Sequence, residues 1–132
     1  MGAPQLPSIE LFSGLSPSER DAVASQAEEI DVEAGKRLIS EGKFGYEFFV
    51  ISNGTAEVVR DGKHVADLGP GDFFGEMALL GDVERNASVI VSSPMTAVVL
   101  TDRAFRHLSR TMPAVADRIR EACRERGQRL QA

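Results

Sequence analysis

The chain has little of what most catalytic and secreted proteins depend on. Among 132 residues there is one cysteine, no tryptophan, one tyrosine and two histidines. A single thiol, Cys123, cannot close an internal disulfide, which fits a reducing compartment and predicts a cytoplasmic location. His64 and His107 fall in neither HxxxH nor HExxH spacing, so no metal site and no metal cofactor are expected. No apolar run approaches the roughly 20 residues of a membrane span, and the N-terminus lacks the basic-then-apolar layout of a secretion signal. No membrane partner is expected. The triphosphate, dinucleotide and serine-hydrolase fingerprints (GxxxxGK[ST], GxGxxG and GxSxG) are all missing. An enzyme is therefore not expected, and no catalytic residue is nominated.

What is present is an ordinary globular composition, 42% hydrophobic and 27% charged, with a net charge of −5. The acidic balance argues against direct nucleic-acid binding. The length predicts one domain over residues 1–132. A helical lead-in is expected over 8–27, starting from the apolar knot Ile9, Leu11, Phe12 and Leu15. Ser16-Pro17-Ser18-Glu19 predicts its main helix, with a serine cap, proline at the first position and a capping-box glutamate. Ala22, Val23 and Gln26 are expected on its inward side. Residues 28–100 break into about eight short extended runs separated by turn residues, which predicts a mainly β, antiparallel roll or jelly roll. Asn53-Gly54 and Asp61-Gly62 both read as type I′ hairpin turns. Two helices follow over 102–130, the first capped by Thr101 with Phe105 and Leu108 inward. The second begins at Pro113 and carries an apolar stripe of Val115, Ala116, Ile119, Ala122, Cys123, Arg126 and Leu130.

The chemistry concentrates in Gly71 to Val89. Phe73 and Phe74 read as core, and Gly75 lets the backbone approach a ligand closely. Glu76 to Leu80 is long enough for one helical turn, whose unpaired N–H groups form an anion site. Gly81 ends the turn, and Arg85 stands alone among Asp72, Glu76, Asp82 and Glu84. One arginine, amide donors and a carboxylate suit a small ligand with one negative charge and nearby hydroxyls. Several basic groups would be needed for a polyphosphate.

Phe74-Gly75-Glu76, then Ala78-Leu79, then Arg85-Asn86-Ala87 resembles the phosphate-binding cassette of cyclic nucleotide-binding domains. Such domains occur in regulatory subunits of cyclic-AMP-dependent kinase, in gated channels and in the catabolite activator protein. The nine-residue step from Glu76 to Arg85 fits the kinase-type spacing. The resemblance implies an eight-stranded antiparallel β-roll with an N-terminal helix and two C-terminal helices. It also implies a ligand, cyclic AMP first and cyclic GMP second. Arg85 would pair with the cyclic phosphate and Glu76 would accept the ribose 2′-hydroxyl. Phe74, Gly75, Met77, Ala78 and Ala87 would complete the cradle with their backbone. Asn86 departs from the family pattern, which has Ser, Thr or Ala there, so purine preference is left open.

The resemblance also implies that the last helix folds over the base as a lid hinged at Met112-Pro113, with Ile119 and Cys123 above the ring. Plain packing explains the same stripe, and the two readings stay open together. Residues 102–132 hold 8 arginines against 4 acids, while residues 1–101 hold 7 basic and 16 acidic side chains. That asymmetry reads as a well-paired amphipathic helix or as a docking surface for an effector domain or a second copy. The rival to a cyclic nucleotide sensor is a degenerate, ligand-free roll that acts as a protein-interaction module.

Overall fold

The computed structural model describes residues 14–43, 45–75 and 87–131, without the side chains of Cys123 and residues 126–131. The expected knot Ile9, Leu11 and Phe12, and Glu76 to Asn86, lie outside the described residues. So do the roles assigned to Cys123, Arg126 and Leu130.

The first helix, α1 (Pro17–Ser25), starts where its cap predicts. Ser16 Oγ accepts the Glu19 N–H at 3.2 Å, and Glu19 Oε1 accepts the Ser16 N–H at 2.8 Å. Two of the donors that a helix start leaves open are thereby satisfied. Val23 is buried as expected, but its buried companion is Ala24; Ala22 and Gln26 are only half-buried. Ala22 and Gln26 thus lie beside the inward face and Val23 and Ala24 on it.

The strands are β1 (Glu28–Val32), β2 (Arg37–Ile39), β3 (Glu47–Arg60), β4 (Lys63–Leu68), β5 (Phe73–Phe74) and β6 (Ser88–Thr101). Every pairing is antiparallel, in the order β1-β6-β3-β4, with β2 also on β6 and β5 also on β3. The mainly β roll with flanking helices is therefore present, built from six strands among the described residues where eight runs were expected. The difference lies in β3 and β6, each of which joins two expected runs into one strand of 14 residues.

Asp61-Gly62 is the hairpin turn its sequence predicts, with both φ angles positive (53° and 75°) and Arg60 opposite Lys63. Asn53-Gly54 is not a turn. It lies inside β3, where the register against β6 shifts between Ile51 and Ala56. Gly54 takes φ +90°, and a Cβ there would come within 2.3 Å of the Pro94 carbonyl oxygen. Positive φ is what the dipeptide signals, and a close crossing of two bent strands needs it as much as a hairpin does. The Thr55 hydroxyl hydrogen-bonds those of both Ser92 and Ser93 beside the bend.

Alternation along β3 divides the core in two. Phe48 and Val50 face a cluster with Val23 and Ala24 of α1, Phe73, Val98 and Leu100. Phe49 and Ile51 face the opposite cluster with Ile39, Leu68, Phe74, Ala87 and Val89. The phenylalanines pair across β3 and β5, Phe48 with Phe73 at 5.6 Å and Phe49 with Phe74 at 4.8 Å. The first cluster is closed by α2 (Asp102–Thr111) and α3 (Pro113–Gln131). Thr101 caps α2, accepting the Ala104 N–H at 3.1 Å, and Phe105 and Leu108 are buried as their spacing predicts.

Gly54→Ala tests the crossing. A non-glycine residue held in such backbone costs about 1–3 kcal/mol, and the Pro94 contact is with backbone, which cannot rotate away. Urea unfolding should show at least about 2 kcal/mol of destabilisation, whereas Gly62→Ala in the open hairpin turn should lose less.

Candidate functional site

The approach to the candidate site is built by a short turn. Asp72 N–H donates to the Gly69 carbonyl at 3.0 Å, and the Asp72 carboxylate accepts the Gly69 N–H at 2.8 Å. Gly71 takes φ +90° inside this turn. The turn is locked to β3 on both sides, since Gly71 N–H reaches the Ile51 carbonyl and Ile51 N–H reaches the Asp72 carbonyl, each at 2.9 Å. It delivers Phe73 and Phe74 to opposite cores, 8% and 3% exposed. Gly75 follows with φ +80°, a left-handed conformation that a side chain disfavours.

The far end of the segment is equally fixed. Ala87 is buried in the same cluster as Phe74, so the residues on either side of the segment share one apolar core. Glu76, Met77, Ala78, Arg85 and Asn86 belong to the segment between these two anchors and lie outside the described residues. Ser88 opens β6. Its Oγ accepts the Glu41 N–H at 2.9 Å and lies 3.2 Å from Arg37 Nη1.

Ile119 is 0% exposed, packed with Leu15, Val23, Phe105 and Leu108 together with Val115 and Ala116 of its own helix. The front half of α3 is thus a core element. Arg118 Nη1 donates to the Gly14 carbonyl at 2.6 Å, and its Nη2 meets Glu19 Oε2 at 2.9 Å. Arg120 lies 4.9 Å from the Phe105 ring centroid and donates to Ser109 Oγ at 2.9 Å. On the same helix Asp117 pairs with Arg120 and Glu121 with Arg124, at 3.1 and 3.4 Å. A hinge at Met112-Pro113 would have to strip Val115, Ala116 and Ile119 out of the core.

A model of the cyclic nucleotide-binding domain family matches residues 29–112. The chain belongs to that family. Among its relatives, a cAMP-dependent protein kinase regulatory subunit of Hypocrea atroviridis is 35% identical over 103 residues, 78% of this chain and 22% of that protein. The chain spans 22–31% of the length of such curated relatives. The catabolite activator protein of Thermus thermophilus superposes with a TM-score of 0.80 at 29% identity, over 92% of this chain and 59% of that one. A structure of PKAR CBD2 with Sp-2Cl-cAMPS bound superposes with a TM-score of 0.70 at 26% identity, over 87% and 84% of the two chains.

In this cyclic nucleotide-binding domain the matched region contains the whole segment from Phe74 to Ala87. Two further groupings were not legible in the sequence. Ser88 looks like any strand residue until its partners, 47 and 51 positions away, are seen. His64 sits between Glu57 at 3.2 Å and Asp67 at 3.5 Å, because a bulge between Val58 and Val59 brings it to their side of the hairpin. No spacing rule pairs these three, and they are the one group of candidate metal ligands among the described residues. His64 and Asp67 are exposed and Glu57 half-buried, an arrangement that surface hydrogen bonding explains. Among the described residues no helix is long and apolar enough to cross a membrane.

The α1–α3 clamp has a pH signature. The Ser16 backbone N–H, helped by Arg118, holds the Glu19 carboxyl below its ordinary value. A lowered folded pKa means that this contribution is complete above the usual glutamate pKa of about 4.3. It is lost as pH falls through the lower folded value. Thermal unfolding from pH 7 to pH 3 should therefore show Glu19→Gln less stable than wild type at neutral pH, with the gap closing in acid. A gap independent of pH would mean that the carboxylate charge contributes nothing.

Proposed function

We propose that this chain is a cyclic nucleotide sensor domain that binds cyclic AMP, with cyclic GMP as the second ligand. One observation carries the reading. Phe74, just before the left-handed Gly75, and Ala87 are buried in one core, and between them the sequence runs Glu76 to Arg85 at the kinase-type spacing. The kinase regulatory subunits among the relatives and the Sp-2Cl-cAMPS-bound neighbour support the choice of ligand.

In this reading the domain binds and does not catalyse. Arg85 neutralises the single charge of the cyclic phosphate through charge-assisted hydrogen bonds. Backbone N–H groups from Gly75 through Met77 to Ala78, and that of Ala87, take the remaining phosphate oxygens. Glu76 accepts the 2′-hydroxyl, which selects a ribose. Asn86, able to donate and to accept, faces either the phosphate or the purine edge. Phe74 holds the start of the loop to the core. The domain is cytoplasmic, and its output passes to an effector domain or a second copy through α3. The base is covered by α3 beyond Ala122, with Cys123 in that portion; Ile119 takes part only if the helix is repacked.

Calorimetric titration with cyclic AMP tests the site. Leaving a buried charge partner unpaired costs roughly 2–5 kcal/mol, so Arg85→Ala should weaken binding at least about tenfold. Wild type should prefer cyclic AMP over its 2′-deoxy form, and Glu76→Gln should narrow that preference. A folded Arg85→Ala protein with wild-type affinity would sink the phosphate assignment. A wild-type chain that binds neither cyclic nucleotide would leave the ligand-free interaction module.

The coupling to α3 is tested by ending the chain after Ala122, which keeps Val115, Ala116 and Ile119 in place. The shortened domain should stay folded and bind cyclic AMP more weakly. Hydrogen exchange over the rest of α3 in the full chain should slow on adding ligand. Equal affinity and unchanged exchange would reduce α3 to packing.

A further inference from the structure

Ser88 is the one polar side chain in the buried set of described residues, 4% exposed. A buried hydroxyl is unfavourable unless it is used, and Val89 and Val91 show what this strand otherwise buries. Here it is used twice. The Glu41 backbone N–H and Arg37 Nη1 converge on Oγ at 2.9 and 3.2 Å, which occupies both acceptor lone pairs. Glu41 continues the link, because its Oε1 accepts the Asp61 N–H at 3.0 Å. The chain after β2, the β3–β4 hairpin turn and the first residue of β6 are thereby tied at one point.

That point is the end of the cassette. Ser88 follows Ala87 directly and lies three residues after Arg85. Strand alternation puts Ala87 and Val89 into one core and turns Ser88 away from it. Ser88 therefore faces away from the apolar side on which Phe74 and Ala87 anchor the loop. We infer that Ser88 is a positioning residue: held by Arg37 and Glu41, it fixes the backbone from which Arg85 and the Ala87 amide are presented to the cyclic phosphate. The inference rests on the cyclic nucleotide reading above and adds to it a residue that acts through Arg85.

The test is titration with cyclic AMP of wild type, Ser88→Ala, Ser88→Thr, Arg37→Met, Arg85→Ala and the double variant Ser88→Ala/Arg85→Ala, each with a urea unfolding curve. Ser88→Ala should bind about tenfold more weakly, and Ser88→Thr, which keeps the hydroxyl, should restore most of the affinity. Arg37→Met changes an exposed side chain, so it should lower affinity severalfold at unchanged stability. In the Arg85→Ala background, Ser88→Ala should add almost nothing, because a loss that runs through one arginine cannot be counted twice. A residue that only stabilised the fold would give losses that multiply. Multiplying losses, or wild-type affinity in both Ser88→Ala and Arg37→Met, overturn the inference while leaving the ligand assignment intact. Should Ser88→Ala not fold, Arg37→Met with and without Arg85→Ala decides by the same criterion. Failure of the wild-type chain to bind removes the cyclic nucleotide reading and this inference with it.

Discussion

Two 14-residue strands that bend together set the terms for the rest of this domain. β3 and β6 pair from Glu47–Thr101 to Val59–Ser88, and they can stay paired around the bend only if one backbone makes room for the other. Gly54 makes that room against Pro94 and Met95. With the bend in place, β6 can hold β1 along one part of its length and β2 along another, while β3 holds β5 and β4 in the same manner. A straight pair would give a flat sheet with one buried face. The bent pair gives a roll with an interior and a second, outer core.

The two cores meet at the start of the cassette. Phe73 belongs to the cluster that carries α1, α2 and α3, and Phe74 belongs to the interior cluster that carries Ala87. One peptide bond separates them, and Gly75 comes next. A displacement of the loop after Gly75 therefore acts on a residue pair already wedged between both packing systems. Interiors close-packed in this way pass a small shift on as a discrete repacking, since there is little free volume to absorb it. The Phe73–Phe74 pair thus joins the core that holds Ala87 to the core that carries the helices.

Features read from local rules were legible in the sequence. The capping box of α1, the cap of α2 and the Asp61-Gly62 turn depend on residues within four positions of one another, so no tertiary knowledge is needed. The family was legible from the Phe-Gly-Glu to Arg pattern, which is a matter of sequence spacing alone, and the family match over residues 29–112 bears it out. Asn53-Gly54 misled because a positive φ has two uses, and only the distant Pro94 distinguishes a crossing from a turn. Ala22 and Ala24 could not be ranked without the helix that packs on them. Ser88 and the His64 group were invisible because their meaning lies wholly in long-range partners. At Ile119 the periodicity marked a buried stripe but could not say what covers it.

The charge asymmetry of the chain bears on how α3 could move. Its described arginines are largely satisfied at home, Arg118 by Glu19, Arg120 by Asp117 and Arg124 by Glu121. Half-exposed pairs of this kind contribute about 0–1 kcal/mol each and weaken with salt. Burial of Val115 and Ile119 is worth about 1.5–3 kcal/mol apiece. Apolar packing therefore dominates, and freeing α3 from Pro113 onward would cost several kcal/mol that a single small ligand would have to offset. Ala122, a turn beyond Ile119, is only half-buried against the same cluster. The front half of α3 is therefore held as a fixed part of the core. Among the described arginines of the two C-terminal helices, Arg103 and Arg110 of α2 are exposed and Arg106 meets Asp102 only at 3.6 Å.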